Sequence, residues 1–238
     1  MFQQKIDIVF NHAFGQSPML HLYWDGANNR PAANNPWFNA ICPHMPYCWG
    51  YDYNHESQAT QNFMDRVNHY WLDEYHVDGF RFDFTKGFSN NSNNYDNGRI
   101  QLLKRMADTI WSVHPNSYII LEHWADNNEE KILADYGMML WGNVTHGYQE
   151  SGMGYISGSN LSFGVYKYRT WSQPHLISYM ESHDEERIMY KNITYGNHGP
   201  NHDGKNLITA LERCEALAVM MLSTPGPKMI WQFGEQGY

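Results

Sequence analysis

Four short stretches of this chain close an apolar run with residues able to do acid–base or nucleophilic chemistry: Asn11-His12, Arg81-Phe82-Asp83, Glu122 and His183-Asp184. The second lies within Gly79-Phe80-Arg81-Phe82-Asp83-Phe84-Thr85-Lys86. Read as a strand, it points Phe80, Phe82 and Phe84 to one face and Arg81 and Asp83 to the other. A permanent cation two residues away favours the ionised carboxylate and lowers its pKa, which is what a nucleophilic Asp needs at neutral pH. Taken alone, the same alternation also describes an antiparallel strand with one dry face and a salt bridge in water. The other three stretches weigh against that simpler reading. In a parallel barrel all C-terminal strand ends open on one rim, so three acids, an Arg and two His would meet there. Clustered like charges repel, and a purely structural role does not explain them. A carboxylate pair, one ionised as nucleophile and the other with a raised pKa to protonate the leaving oxygen, is the equipment of glycoside hydrolysis.

Positioning those residues requires strands, and six candidates are present at 5–10, 79–84, 118–122, 138–141, 176–180 and 228–233. Between them lie helical patterns. Phe63, Val67, Trp71 and Tyr75 recur every fourth residue, with Met64 and Leu72 widening the face. Leu103, Met106, Ile110 and Val113 mark a second helix that stops before Pro115. Shorter or weaker helices are expected at 127–136 and near 164–171, with a polar loop after His183-Asp184. A strong helix through Leu207, Leu211, Cys214 and Leu217 ends at Pro225-Gly226. Alternating strands and helices, with several strands apolar throughout, predict an α/β fold with a parallel sheet and helices outside it. One composition regime runs from residue 1 to 238, so one domain is expected, with 13–58 as a long insertion of the functional-loop kind.

Composition narrows the partners. The aromatic content of 16%, with Trp 9 and Tyr 17, exceeds what packing alone usually requires, and aromatic faces suit the apolar faces of sugars. Trp24, Trp37, Trp49 and Trp124 lie in loops, where a ring can stack on a sugar or staple its own loop. A net charge of −9 argues against nucleic acid. No apolar run approaches ~18 residues, so no membrane-spanning helix is expected. Met1-Phe2-Gln3-Gln4 leads almost directly into a strand candidate, with no signal peptide visible. Cys42 and Cys48 are placed to pair across a short loop, while Cys214 falls in a helical pattern as a buried thiol; the compartment stays open, a secreted or periplasmic one being compatible. No His-Glu-x-x-His or paired Cys-x-x-Cys spacing completes a zinc site, and His21, His44, His198 and His202 are expected to be solvated in polar loops.

Asp7-Ile8-Val9-Phe10-Asn11-His12, Gly79-Phe80-Arg81-Phe82-Asp83, Leu121-Glu122-His123 and Ser182-His183-Asp184 resemble the four short motifs of the α-amylase family of glycoside hydrolases, in the family's order. Tyr51-Asp52-Tyr53-Asn54 is similar to a fifth, weaker motif at the end of the family's domain B, which corresponds to the 13–58 insertion. The resemblance implies a (β/α)8 TIM barrel, incomplete here: strands three to eight are present, the first two and the C-terminal sandwich absent. It implies retaining endo-hydrolysis of α-1,4-glucosidic bonds in starch or maltodextrin, through a covalent glycosyl-enzyme. Asp83 would be the nucleophile, Glu122 the acid and then base, and Asp184 the stabiliser of the oxocarbenium-like transition state. Arg81 would hold Asp83 ionised, His12 and His183 would bind the sugar beside the cut, and Lys86 would contact the sugar on the leaving-group side. A calcium ion would be held by Asn11, Asp52 and the backbone carbonyl of Gly87, where the family usually has a His; no organic cofactor is implied. A transglycosylase or α-glucosidase of the same family, and a non-catalytic glycan-binding barrel, remain alternatives. The chain by itself is expected to hydrolyse starch weakly or not at all, because six strands cannot close a barrel.

Overall fold

The computed structural model describes residues 4–238, which divide into two compact units, the first running through Leu140 and the second from Trp141 to Tyr238. In the first unit, the strands Lys5–Ile8, Gly79–Phe82, Tyr118–Leu121 and the start of Met139–Trp141 lie side by side in that order, every neighbouring pair parallel. The predicted parallel α/β arrangement is therefore observed. Gly79 opens its strand against Tyr118, and a Cβ there would come within 2.2 Å of the Tyr118 carbonyl oxygen, so only glycine allows the two backbones to approach.

Helices Gln58–Tyr75, Asn97–Val113 and Asn127–Tyr136 supply the crossovers between parallel strands. Asp96 and Asp126 cap the latter two, their side chains accepting the N–H of Gly98 and Asn128. Leu103, Met106 and Ile110 are buried as expected, whereas Val113 is exposed. On Gln58–Tyr75 the buried stripe is Thr60, Met64, Asn68 and Leu72. Phe63, Val67 and Trp71 flank it and Tyr75 faces solvent, because polar Thr60 and Asn68 conceal the true centre of the face from a hydrophobicity count. The core combines Phe80, Phe82, Ile119, Leu121, Leu103, Ile110 and Leu133, all essentially inaccessible to water.

The 13–58 insertion is built from small pieces. His12–Ala13 pairs antiparallel with Tyr51–Asp52, and Trp24–Asp25 with Arg30–Pro31. Cys42 and Cys48 form a disulfide, as their spacing suggests. His55 closes the insertion: its Nε2–H donates to the Phe10 carbonyl at 2.8 Å, and its ring stacks on Phe88 with centroids 3.7 Å apart. Burial drives the His55 pKa down to about 3. The unfolded chain thus binds a proton below about pH 6.5 that the folded chain refuses until about pH 3, so stability present above pH 6.5 falls as pH drops, by about 1.4 kcal/mol per unit. Urea titrations between pH 7 and 4 are expected to show that slope flattened in His55→Phe. Parallel pH curves for the two proteins would remove His55 as its source.

In the second unit, Thr145–Met153, Ile188–Tyr195 and Leu207–Ser223 pack around Val144, Tyr148, Ile188, Leu217 and Met221. The first two of these helices were not expected. Thr145–Met153 carries two glycines and little apolar period of its own, and Ile188–Tyr195, only 8 residues long, is too short for its period to stand out. The helix expected near 164–171 is instead a 3₁₀ turn, Ser162–Gly164, followed by turns; Thr170 adopts a left-handed φ of 64°, which ends any helix there. The strand expected at 228–233 reduces to one parallel bridge between Ser178 and Lys228, because among the described residues no ladder bond extends past Met229. Leu176–Ile177 is correspondingly short. Cys214 is a free thiol but only partly buried. No helix among the described residues is long and apolar enough to cross a membrane.

Candidate active site

The chemistry of the first unit gathers where three parallel strands end. Register sets Asp7 beside Arg81. The backbone ladder continues one residue past the strands: Asp83 N–H donates to Ile8 O at 2.9 Å and Glu122 N–H to Phe82 O at 3.0 Å. Arg81, buried among these ends, forks onto all three acids. Its Nη1 lies 2.8 Å from Asp7 Oδ1 and 2.8 Å from Asp83 Oδ1, and its Nη2 lies 2.6 Å from Glu122 Oε1. Burial works against the guanidinium charge, but Glu122, Asp7 and Asp83 outweigh it and hold the Arg81 pKa above its ordinary value. Asp83 and Glu122 each place a carboxylate oxygen within 4.8 Å of the other's. Asp7 belongs to a motif in the sequence, yet its role as a third acid on Arg81 emerges only from strand register.

Phe84 departs from the expected alternation. The strand ends at Phe82, and Phe84 takes a left-handed φ of 38°, which turns its ring away from Phe80 and Phe82 and onto Trp49, centroids 4.6 Å apart. The same turn aims the Phe84 N–H at Glu122 Oε2, 3.1 Å away. Behind Glu122 lies a fully buried charged network. Arg99 donates from Nε and Nη2 to the two Glu129 oxygens at 2.6 and 2.8 Å, and from Nη1 to the Lys86 carbonyl at 3.1 Å. His123 bridges Glu129 Oε1 and Thr85 Oγ1, both at 2.8 Å, while Thr85 Oγ1–H donates to the Glu122 carbonyl at 3.1 Å. Burial alone would push the Glu129 carboxyl up, but hydrogen bonds from His123 and Arg99 prevail and hold it below its usual value.

His12 lies within the electrostatic reach of Asp83: burial lowers its pKa and the Asp83 charge partly restores it. Lys86 donates from Nζ to Asn94 Oδ1 at 3.0 Å. His183 and Asp184 lie in the second unit, half-exposed, with His183 Nε2 3.3 Å from Asp184 Oδ1 and the His183 ring between Trp141 and Trp231 at 5.8 and 6.0 Å.

Asn11 and Gly87 meet apart from these carboxylates, and His44 lies against both Asp52 and the Gly87 backbone. The pairing of His12 with Asp52 brings Asn11 and Asp52 together, and Tyr53 N–H donates to Asn11 O at 3.1 Å. Asn11 Oδ1 is buried without a hydrogen-bond partner. A Cβ on Gly87 would sit 1.8 Å from that oxygen, so the glycine admits it. Burial pushes the Asp52 carboxyl up to about 7 although Asn39 Nδ2 donates to it at 2.7 Å. His44, expected in solvent, is buried here with its Nε2 3.8 Å from Asp52 Oδ1. An unpartnered amide oxygen and a desolvated carboxylate are oxygen donors of the kind a hard cation takes.

A pair of neighbouring carboxylates is what cleavage of a glycosidic bond requires. Residues 44–238 match the family model described as alpha amylase, catalytic domain. The chain belongs to the alpha-amylase family, a family of α-glucan-active hydrolases and transglycosylases. It is 25% identical over 187 residues to a 1,4-alpha-glucan branching enzyme of Bacillus caldolyticus, covering 76% of this chain and 24% of that protein. Its fold is similar to Amy13B of Eubacterium rectale, with a TM-score of 0.73 and 19% identity over 99% of this chain and 50% of the other. It is likewise similar to type I pullulanase of Bacillus subtilis, solved with maltose, with a TM-score of 0.70 and 18% identity over 98% of this chain and 34% of the other. The chain thus spans between about a quarter and a half of the length of these relatives.

Proposed function

We propose that this chain carries the catalytic residues for retaining cleavage of α-1,4-glucosidic bonds in a starch-like glucan, on part of a (β/α)8 barrel. The observation that carries this reading is the shared guanidinium. Arg81 lies 2.8 Å from Asp83 Oδ1 and 2.6 Å from Glu122 Oε1, and one oxygen of each carboxylate lies within 4.8 Å of the other, a closeness that supports direct attack by one carboxylate while the other acts as acid. Asp83 attacks the anomeric carbon, Glu122 protonates the leaving oxygen, and Glu122 then takes the proton of the incoming nucleophile. Asp184, His183 and His12 are assigned to the sugar by the motifs they occupy, and Lys86 to the leaving-group side. Following the anomer released from maltodextrin by NMR tests the reading: the α-product is expected to appear first, and initial release of the β-anomer would overturn it.

The family's calcium fits the donors present. Asn11 Oδ1, the Asp52 carboxylate and the Gly87 carbonyl would hold it, and the ion would neutralise Asp52 and tie the insertion to the end of the first strand. Calcium is expected to raise the melting temperature, a chelator to lower it, and Asn11→Ala to abolish the difference. A melting temperature indifferent to both additions in the unsubstituted protein would remove the site.

A further inference from the structure

Glu122 is gripped by the two residues that follow Asp83. The Phe84 N–H donates to its Oε2 at 3.1 Å, and the Thr85 N–H donates to its backbone carbonyl at 2.8 Å. Both bonds depend on a costly turn, since Phe84 sits at a left-handed φ of 38°. Phe is neither Gly nor Asn, the residues that take this region readily, and a bulky side chain persists there only where its surroundings hold it.

Two supports close on the turn from behind. The Thr85 side chain is buried, with Oγ1 2.8 Å from His123 Nδ1 and 3.1 Å from the Glu122 carbonyl. Arg99 Nη1 donates to the carbonyl of Lys86, the next residue, at 3.1 Å. Both supports end on Glu129. Its Oε1 accepts from Arg99 Nε at 2.6 Å and from His123 Nε2 at 2.8 Å. Its Oε2 accepts from Arg99 Nη2 and from the Asp96 N–H, both at 2.8 Å. Burial opposes the charge, but the His123 and Arg99 bonds keep the Glu129 carboxyl below its usual value, so it only accepts. His123 Nε2 therefore carries a proton, which fixes the ring and leaves Nδ1 facing the Thr85 hydroxyl. Thr85, Arg99, His123 and Glu129 are all buried, so they reach the reaction through Glu122 and not through the substrate.

We propose that His123 is a positioning residue for the acid–base carboxyl: pinned by Glu129, it holds Thr85, and with it the Phe84 turn that sets where the Glu122 side chain lies. This rests on the reading of Asp83 as nucleophile and Glu122 as acid. In the first step the bond from the anomeric carbon to the leaving oxygen breaks, and an Asp83 oxygen bonds to that carbon. The Glu122 proton passes to the leaving oxygen. A displaced Glu122 slows what depends on that transfer. A sugar departs poorly as an unprotonated alkoxide, whereas fluoride departs as a stable anion and needs little help from an acid. Attack by Asp83 is common to both. Because Arg81 Nη2 still lies 2.6 Å from Glu122 Oε1, the loss is a fraction of the ~10²–10⁴-fold that a general acid contributes.

The test compares kcat/KM, which reports glycosyl-enzyme formation, for maltotetraose and α-maltosyl fluoride in the full-length protein that carries this chain. Thr85→Val keeps the side-chain shape and removes the hydroxyl; it is expected to lower the maltotetraose value about tenfold and the fluoride value no more than about twofold. His123→Phe should show the same split, larger on maltotetraose, and Thr85→Ser should return both values close to the parent's. Equal losses on the two donors in Thr85→Val would mean that the network supports only the fold. Unchanged values on both would mean that it does not act on Glu122. Either result overturns the positioning role and leaves the catalytic reading standing, and Thr85→Val decides alone where His123→Phe fails to fold. Absence of fluoride release from the unsubstituted protein would overturn the catalytic reading and the positioning role with it.

Discussion

In the full-length protein that carries this chain, Asp83→Asn is expected to reduce kcat on maltodextrin by about 10⁴-fold or more, while leaving oligosaccharide affinity within a few-fold of the parent. The asymmetry follows from geometry. An amide oxygen can still accept from Arg81 Nη1 at the 2.8 Å seen for the carboxylate, so the fork that also holds Asp7 and Glu122 stays assembled. What disappears is the anionic oxygen that must bond to the anomeric carbon. Initial rates and isothermal calorimetry on the same preparation measure both quantities. Residual kcat within tenfold of the parent would take the nucleophile's role from Asp83, and loss of affinity in step with kcat would mean that the substitution had disturbed the fork itself.

The largest expected effect on stability lies behind the site. Arg99 and Glu129 are both inaccessible to water and joined by two charge-assisted bonds. Removing one partner strands the other charge in a low-dielectric interior, which costs about 3–5 kcal/mol. Glu129→Leu is therefore expected to lower the urea midpoint sharply, leaving Arg99 with the Lys86, Asn91, Asn93 and Asn94 carbonyls. Arg99→Leu should cost a similar amount. The double substitution is expected to recover much of the loss, because no buried charge then remains unpaired. A double variant as unstable as the sum of the two singles would show that packing, and not charge, is what the pair contributes. The same network carries Thr85 and the Glu122 carbonyl through His123, so reduced stability should come with reduced kcat.

The parallel α/β fold was legible because its strands are apolar runs and its helices mostly carry their own period. The carboxylates were legible for a related reason: each motif sits at the end of such a run. Helical period found Gln58–Tyr75 but misplaced the centre of its face, which polar Asn68 and Thr60 share, and it missed Thr145–Met153, a helix that owes its existence to its neighbours. A loop Trp reads alike whether it staples or binds. In the folded chain Trp24 packs on Tyr51 and Trp37 on Tyr23, while Trp49 and Trp124 line a cavity.

From its residues alone this protein was bound to have paired acids beside an arginine, at the ends of buried strands, because those facts depend only on residue type and a period of two. Which acids share the guanidinium, that Phe84 swings out to wall a cavity, and that His44 is buried beside Asp52 depended on contacts between residues distant in the chain. Such contacts follow from strand register, left-handed turns and the path of the insertion, each set by packing that no local window of sequence contains.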